Sequence, residues 1–301
     1  MSDVEERGAH RPERPARRPA APRREPETAE AEAQARQLEA FFTALRGAAK
    51  RLLMLDYDGT LAPFRMEPHR ARPYPGVCEL LAEIMAMDDR TRVVIISGRW
   101  VRDLIPLLGL EKLPEIWGSH GRERLRPDGG YEFAEIPPAA MHALLKVDAW
   151  ETALRQAGGR IERKPASLAI HWRGLPAARI ERLRTQILSH WADLERRAGL
   201  DLRQFDGGIE VVVRGCSKAT AVETLLAETG AGTIAAYLGD DLTDEDALNA
   251  IRGRGLGVLV CDVQRRSAAA VWLRPPQQVR AFLKRWIAAC ASTAGTEDPS
   301  P

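Results

Sequence analysis

Short, unbroken apolar runs alternate with helical spacing along much of this chain, and no other feature narrows its fold as far. Leu52 to Leu55 is the first such run, inside a strand expected over 51–56. Strands over 92–97, up to Gly118, over 234–238 and over 257–260 repeat the pattern. A strand that is apolar at every position has both faces covered, which is the condition of a parallel sheet between layers of helices. The intervening spacing predicts those helices over 30–50, from Pro75 through Met85, and over 100–108, 218–228, 243–251 and 276–289. Pro75 suits a first helical turn, Gly230 a helix end, and Thr243 with Asp246 a capping box. The fold class is therefore α/β, a Rossmann-like parallel sheet with helices on both faces.

The middle of the chain breaks this rhythm. A hairpin is expected over 125–133 around Asp128-Gly129-Gly130, then a helix over 138–157 and strands over 160–164 and 167–172. A long Arg-rich helix over 176–198 and strands over 202–205 and 209–213 follow. This reads as an α+β module inserted into the sheet. The expected division is a core over 34–121 and 215–291, the insert over 122–214, and disordered tails over 1–33 and 292–301. The first tail is rich in Arg, Pro and Ala with nothing to bury.

Several classes of function fall away on composition. A formal net charge of +2 gives no field for holding nucleic acid. No stretch reaches the roughly 20 apolar residues of a membrane helix, so no membrane association is expected. The N-terminal region has no apolar segment for a signal peptide, and Asp3, Glu5, Glu6 and Glu13 argue against a transit peptide. A cytoplasmic location is expected. Cys78, Cys216, Cys261 and Cys290 form no C-x-x-C pair, which predicts reduced, mostly buried thiols and neither zinc nor disulfides.

The chemistry gathers where the buried strands end. Asp56 and Asp58 close the first strand in Asp56-Tyr57-Asp58-Gly59-Thr60. Residues two apart on a strand point the same way, and two carboxylates that close call for a counter-ion, for which Mg2+ is suited. Ser97-Gly98-Arg99 follows the second strand with a hydroxyl and free backbone N–H groups for a phosphate. Lys218 opens a helix and supplies a cation. Asp240-Asp241-Leu242-Thr243-Asp244-Glu245-Asp246 follows another strand; the helix dipole accounts for its later acids but not for Asp240 and Asp241, where a further metal ligand is wanted.

In this order the four elements resemble motifs I to IV of the haloacid-dehalogenase (HAD) phosphatase superfamily. The finer resemblance is to the trehalose-6-phosphate phosphatase family. Leu55 to Pro63 and Gly239 to Ala247 match its motifs almost letter for letter, and Gly118-Ser119-His120-Gly121 is similar to its G-x-H-G element. Glu162-x-Lys164-x-x-Ser167-Leu168-Ala169-x-His171-Trp172-Arg173 is similar to a cap segment, and Glu210 keeps the family's spacing to Lys218. Val212, Val213 and Ala219 depart from the family, which usually has a basic residue, a proline and a glycine there.

The resemblance implies a HAD core with a type C2 cap and Mg-dependent hydrolysis of trehalose 6-phosphate. Asp56 would be the nucleophile and Asp58 the acid and base, with Ser97 and Lys218 clamping the phosphate. Asp56, Asp58, Asp240, Asp241 and Asp244 would hold or support Mg2+. Substrate contacts are expected from Thr60, Gly98, Arg99 and His120 in the core and from Glu162, Lys164, His171, Arg173 and Glu210 in the cap. The resemblance also implies a small sugar phosphate as partner, supplied by a trehalose-6-phosphate synthase of the same pathway. The alternatives are a phosphatase of the sucrose-phosphate or mannosyl-phosphoglycerate type, and an inactive regulatory protein on the same fold.

Overall fold

The apolar runs become strands of one sheet. The computed structural model describes residues 26–65, 67–194, 199–205 and 207–291. Among these, the strands are β1 (Lys50–Leu55), β2 (Thr91–Ile96), β3 (Glu115–Gly118), β4 (Glu123–Leu125), β5 (Tyr131–Phe133) and β6 (Arg160–Lys164). There follow β7 (Ser167–His171), β8 (Leu200–Phe205), β9 (Gly208–Val213), β10 (Thr233–Gly239), β11 (Leu256–Val260) and β12 (Val271–Leu273). The helices are α1 (Pro26–Arg46), α2 (Val77–Met87), α3 (Val101–Leu108), α4 (Pro138–Asp148) and α5 (Glu151–Gln156). They continue with α6 (Ala177–Leu194), α7 (Lys218–Thr229), α8 (Glu245–Ile251) and α9 (Gln277–Ala291).

Eight strands form the large sheet in the order β12-β11-β10-β1-β2-β3-β4-β5, parallel from β12 to β3. Period-two alternation explains the layers above and below it. Leu53 and Leu55 of β1 enter a core with α1, α2, α3 and α9, while Leu52 and Met54 face a second core with α7 and α8. From β1 the chain moves to β2 and β3 on one side and later to β10 on the other. A crevice at such a reversal, beyond the strands' C-terminal ends, is where open α/β sheets bind ligands.

The second sheet has the order β6-β7-β9-β8 and is antiparallel. One face is apolar: Leu168, Ile170, Val211 and Val213 pack with Leu183, Ile187 and Trp191 of α6 and Ala143, Leu144 and Val147 of α4. The other face carries Glu162, Lys164, His171 and Glu210 and lines a cleft against the large sheet.

Several expectations are corrected. The hairpin β4–β5 does not belong with the inserted module; it extends the large sheet, β4 pairing antiparallel with β3 from Ile116↔Leu125 to Gly118↔Glu123. Glu123 anchors it, its buried carboxylate accepting from Val101 N, Ser119 Oγ and Tyr131 OH. Helix α1 begins at Pro26, inside the expected tail. Pro is suited to a first helical position, and the Glu/Ala-rich residues after it are strong helix formers. The helix expected over 138–157 is two helices, parted by a turn at which Trp150 stacks on His190 with ring centroids 5.0 Å apart.

The capping box lies two residues earlier than expected. The Asp241 side chain and the Asp244 side chain close a box around the 3-10 turn Leu242–Asp244, and α8 starts only at Glu245. Asp241 is extended and the Asp244 carboxylate reaches back to accept from Asp241 N at 3.0 Å, the two conditions a reciprocal box needs. β12, on the edge of the large sheet, was not expected; three residues give too short a pattern. Three of the four cysteines are half-buried, with Cys290 alone fully buried, and all are free. The tails over 1–25 and 292–301 lie outside the described residues.

Candidate active site

Asp56 is the first residue beyond β1, and its backbone N–H still bonds to Leu238 O of β10 at 2.8 Å. That bond aims the carboxylate into the crevice between the two strands. Lys218, the first residue of α7, reaches across from the other side. Its ammonium donates to Asp56 Oδ1 at 2.6 Å and to Asp244 Oδ1 at 2.7 Å, and all three side chains are buried. Burial opposes the charge on Lys218, but Asp244 and Asp56 more than offset it and hold its pKa above the ordinary lysine value. Burial and the nearby Asp244 push the Asp56 carboxyl up to about 7, against the pull of Lys218. Burial, Asp56 and Asp244 likewise raise Asp240 well above the carboxylate range.

Asp56, Asp240 and Asp244 each offer an oxygen within 4.8 Å of the others. They are not equivalent. Asp244 spends both oxygens on Lys218, the Tyr237 hydroxyl and Asp241 N. Asp56 Oδ2 is buried without a hydrogen-bond partner among the described residues. Asp240 comes so close to the turn after β1 that a Cβ on Gly59 would lie 2.0 Å from its Oδ2; Gly59 also has φ +82°, so both space and backbone require glycine. An orphaned buried oxygen beside a second acid at the same point is a donor set suited to a hard divalent cation. Asp241, expected at the metal, instead directs its carboxylate to Leu242 N at 2.6 Å.

Ser97 follows β2 and is buried, its hydroxyl accepting from Arg99 N at 3.1 Å. The approach of His120 to Gly98 is closer than any side chain there would permit: a Cβ would lie 2.6 Å from His120 Cε1. Arg99, expected on the substrate, grips Asp58 instead. Its Nε and Nη2 donate to the two carboxylate oxygens at 2.6 and 2.7 Å, and Nη1 donates to Pro68 O at 2.9 Å. This bidentate fork fixes where the Asp58 carboxylate points. Thr60, expected on the substrate, is fully buried and does not line the cleft; its hydroxyl is without a partner among the described residues.

The cap residues reach the same cleft, of about 280 Å³, but pair largely with one another. Buried Glu210 accepts from His120 Nε2 at 2.8 Å, Lys164 Nζ at 3.0 Å and Ser167 Oγ at 2.5 Å. Burial would raise the Glu210 pKa, but Lys164 and His120 override it and keep the group ionised. Glu162 pairs with His171 Nε2 at 2.7 Å and, despite burial, is held at about 2 by His171 and Lys164. Arg173 lies over the Phe64 ring, 4.4 Å from its centroid, joining the two sheets across the mouth of the cleft. Sequence reasoning missed Phe64, Arg65, Arg160 and Phe205, which also line it. Arg160 was within reach, since alternation on β6 puts it on the same face as Glu162 and Lys164.

The model of the trehalose-phosphatase family matches residues 54–274, from β1 to just past β12. A trehalose-phosphate phosphatase of Mycobacterium ulcerans is 32% identical over 266 residues, which is 81% of this chain and 63% of that protein. A Mycobacterium tuberculosis protein described as an uncharacterized glycosyl hydrolase is 31% identical over 87% of this chain, but the match spans only 20% of its length. This chain thus covers less than two thirds of either relative. In fold, it is similar to the C-terminal domain of the Candida albicans trehalose-6-phosphate phosphatase, with a TM-score of 0.71 at 20% identity over 83% of this chain and 96% of that one. By this match across its core and insert, the chain belongs to the trehalose-phosphatase family.

Proposed function

We propose that the protein hydrolyses trehalose 6-phosphate to trehalose and phosphate through a phosphoryl group carried on Asp56. The observation that carries this reading is the buried Asp56–Lys218–Asp244 triad, open to Asp240 on one side and facing the polar side of the second sheet. An Asp56 oxygen attacks phosphorus in line; the ester bond to the sugar breaks, and Asp58 gives its proton to the departing oxygen. Water then attacks the aspartyl phosphate, Asp58 takes a proton from it, and Asp56 is regenerated with release of phosphate. Arg99 holds both Asp58 oxygens here, so one oxygen leaves the fork to carry the proton while the other stays on Arg99 and keeps the group at the cleft. Ser97, Lys218 and the Gly98 N–H hold the phosphoryl oxygens.

Asp56, the Asp58 backbone carbonyl and Asp240 would hold Mg2+, with Asp244 fixing Lys218 and Asp241 fixing the loop. Bound there, Mg2+ would offset the repulsion between a carboxylate and a phosphate dianion. The second sheet is the lid: Glu162, Lys164, His171, Arg173 and Glu210 exchange their mutual pairings for sugar hydroxyls. A trehalose-6-phosphate synthase would supply the substrate.

The test is phosphate release from a panel of sugar phosphates, with and without Mg2+. Trehalose 6-phosphate and glucose 6-phosphate carry the same primary ester and differ in the second glucose, which only the lid reaches. A site built to bond a hydroxyl can reject the ligand lacking it by roughly 10⁴-fold in kcat/KM. Equal efficiency on both contradicts the reading; preference for sucrose phosphate or mannosyl-phosphoglycerate would move the substrate within the same chemistry.

A further inference from the structure

The chain leaves the large sheet after β5 and returns to it before α7, so two crossings connect the lid. One buried side chain touches both. The Arg122 guanidinium donates through Nη1 to Ala134 O at 3.2 Å and Glu135 O at 3.1 Å, on the outgoing crossing. Through Nη2 it donates to Val213 O at 3.1 Å and Arg214 O at 3.0 Å, on the returning one. Arg122 is only 3% exposed and forms no ion pair with a described residue. A buried cation without a carboxylate is costly, and here four carbonyl dipoles take the place of the counter-ion. Only a planar fork of N–H groups can serve two separate backbone segments in this way.

The turn that carries Arg122 is itself unusual. Ser119 and His120 are both left-handed, with φ of 49° and 56°, a conformation that residues other than glycine keep only where surrounding contacts hold it. Gly121, at φ +94°, follows so close to the returning crossing that a Cβ would lie 2.4 Å from Ser217 O. This strained path sends His120 to Glu210 in the cleft and Arg122 to the crossings. Beyond the pinned carbonyls, Gly215 has φ +101° and open space where a Cβ would lie.

We propose that Arg122 is the hinge pin of the lid, a positioning residue that ties both crossings to one point so that the lid swings about that point and Glu210 returns to His120 in register. This rests on the reading of the second sheet as a sugar-recognising lid. In Arg122→Met the crossings part while the lid keeps its own core. The kcat/KM for trehalose 6-phosphate is expected to fall about 100-fold and that for p-nitrophenyl phosphate less than about threefold, since a misplacement of ~1 Å costs on that order. Arg122→Lys keeps the charge without the fork and is expected to fall between; it carries the same readouts if the Met variant does not fold. Amide hydrogen exchange at Ala134 and Arg214 should quicken in both variants while Ile170 and Val211, inside the lid sheet, keep their protection. Equal losses on both substrates, unchanged exchange at both crossings, or a Lys variant identical to wild type would each overturn the hinge. If wild type itself does not prefer the sugar phosphate, the substrate reading fails, and the exchange measurement alone decides the hinge.

Discussion

Asp244→Asn is the most telling single change at the site, because every oxygen it alters has a named partner. Asp244 is fully buried and receives the Lys218 ammonium, the Tyr237 hydroxyl and Asp241 N. Asparagine is nearly isosteric, so no cavity opens. Its carbonyl keeps one acceptor, but its NH2 must replace the other oxygen and then faces a donor. Breaking a buried ion pair costs about 3–5 kcal/mol. A retained neutral hydrogen bond returns about 1 kcal/mol, and removing a charge that destabilises ionised Asp56 and Asp240 returns some more. The expected net loss is about 2–3 kcal/mol, or roughly 3–5 °C in Tm for a chain of this size. Asp241→Asn, which removes charge but leaves a good capping side chain at a partly exposed position, is expected to cost less than about 1 kcal/mol. Thermal unfolding of both variants in chelator is the assay. A Tm for Asp244→Asn within a degree of wild type, or below Asp241→Asn by nothing, refutes the claim that Asp244 is the structural anchor of Lys218.

Other expectations follow from the same geometry. Asp56→Asn should fold normally yet retain less than about 1% of turnover, measured as phosphate release after excluding deamidation, because an amide cannot form the phosphorylated intermediate. Deleting residues 1–29 should leave Tm unchanged, whereas deletion through Arg46 removes buried Phe42 and Leu45 and exposes Phe282 and Trp286, a loss of at least about 4 kcal/mol that would be read as a steep fall in Tm. Burial lowers the His120 pKa below its ordinary 6.5, against the pull of Glu210 and with that of Lys164 and Lys218. The unfolded chain therefore binds this proton more readily, and the associated stability is complete above pH 6.5 and lost as pH falls below it. Denaturant midpoints at about pH 7 and about pH 5.5 should accordingly differ less in His120→Gln than in wild type.

The sequence made the large sheet legible because a parallel strand buried on both faces is apolar without interruption, as in Leu52 to Leu55. It made the acids legible because they end those strands. Pairing was not legible. Nothing in Leu125 to Phe133 says whether a hairpin joins the sheet before it or the module after it; the buried carboxylate of Glu123, with partners on α3 and the turn at Ser119, decides that. Arg99 matched a phosphate-binding motif, yet its partner is Asp58, 41 positions away, and only the fold brings them within 2.6 Å. Glu210 matched a sugar-binding position, and its present partners His120, Lys164 and Ser167 come from three separate segments. Asp241 and Asp244 differ in role by burial and by which backbone N–H each meets, quantities that a run of acids does not encode.

The placement of β1 sets the order in which a nascent chain can become a protein. β1 lies at the centre of the large sheet, but one of its two partners is β10, with Lys50 opposite Thr233, so the entire lid is translated between them. The lid sheet needs only contacts within 160–213 and does not depend on β10. Until β10 emerges, one edge of β1 stays open, an apolar strand with unpaired backbone that invites association with other chains. Asp240 and Asp244, the last two residues of the acid cluster, follow closely on β10, so the strand that seals the vulnerable edge also delivers the carboxylates that complete the site.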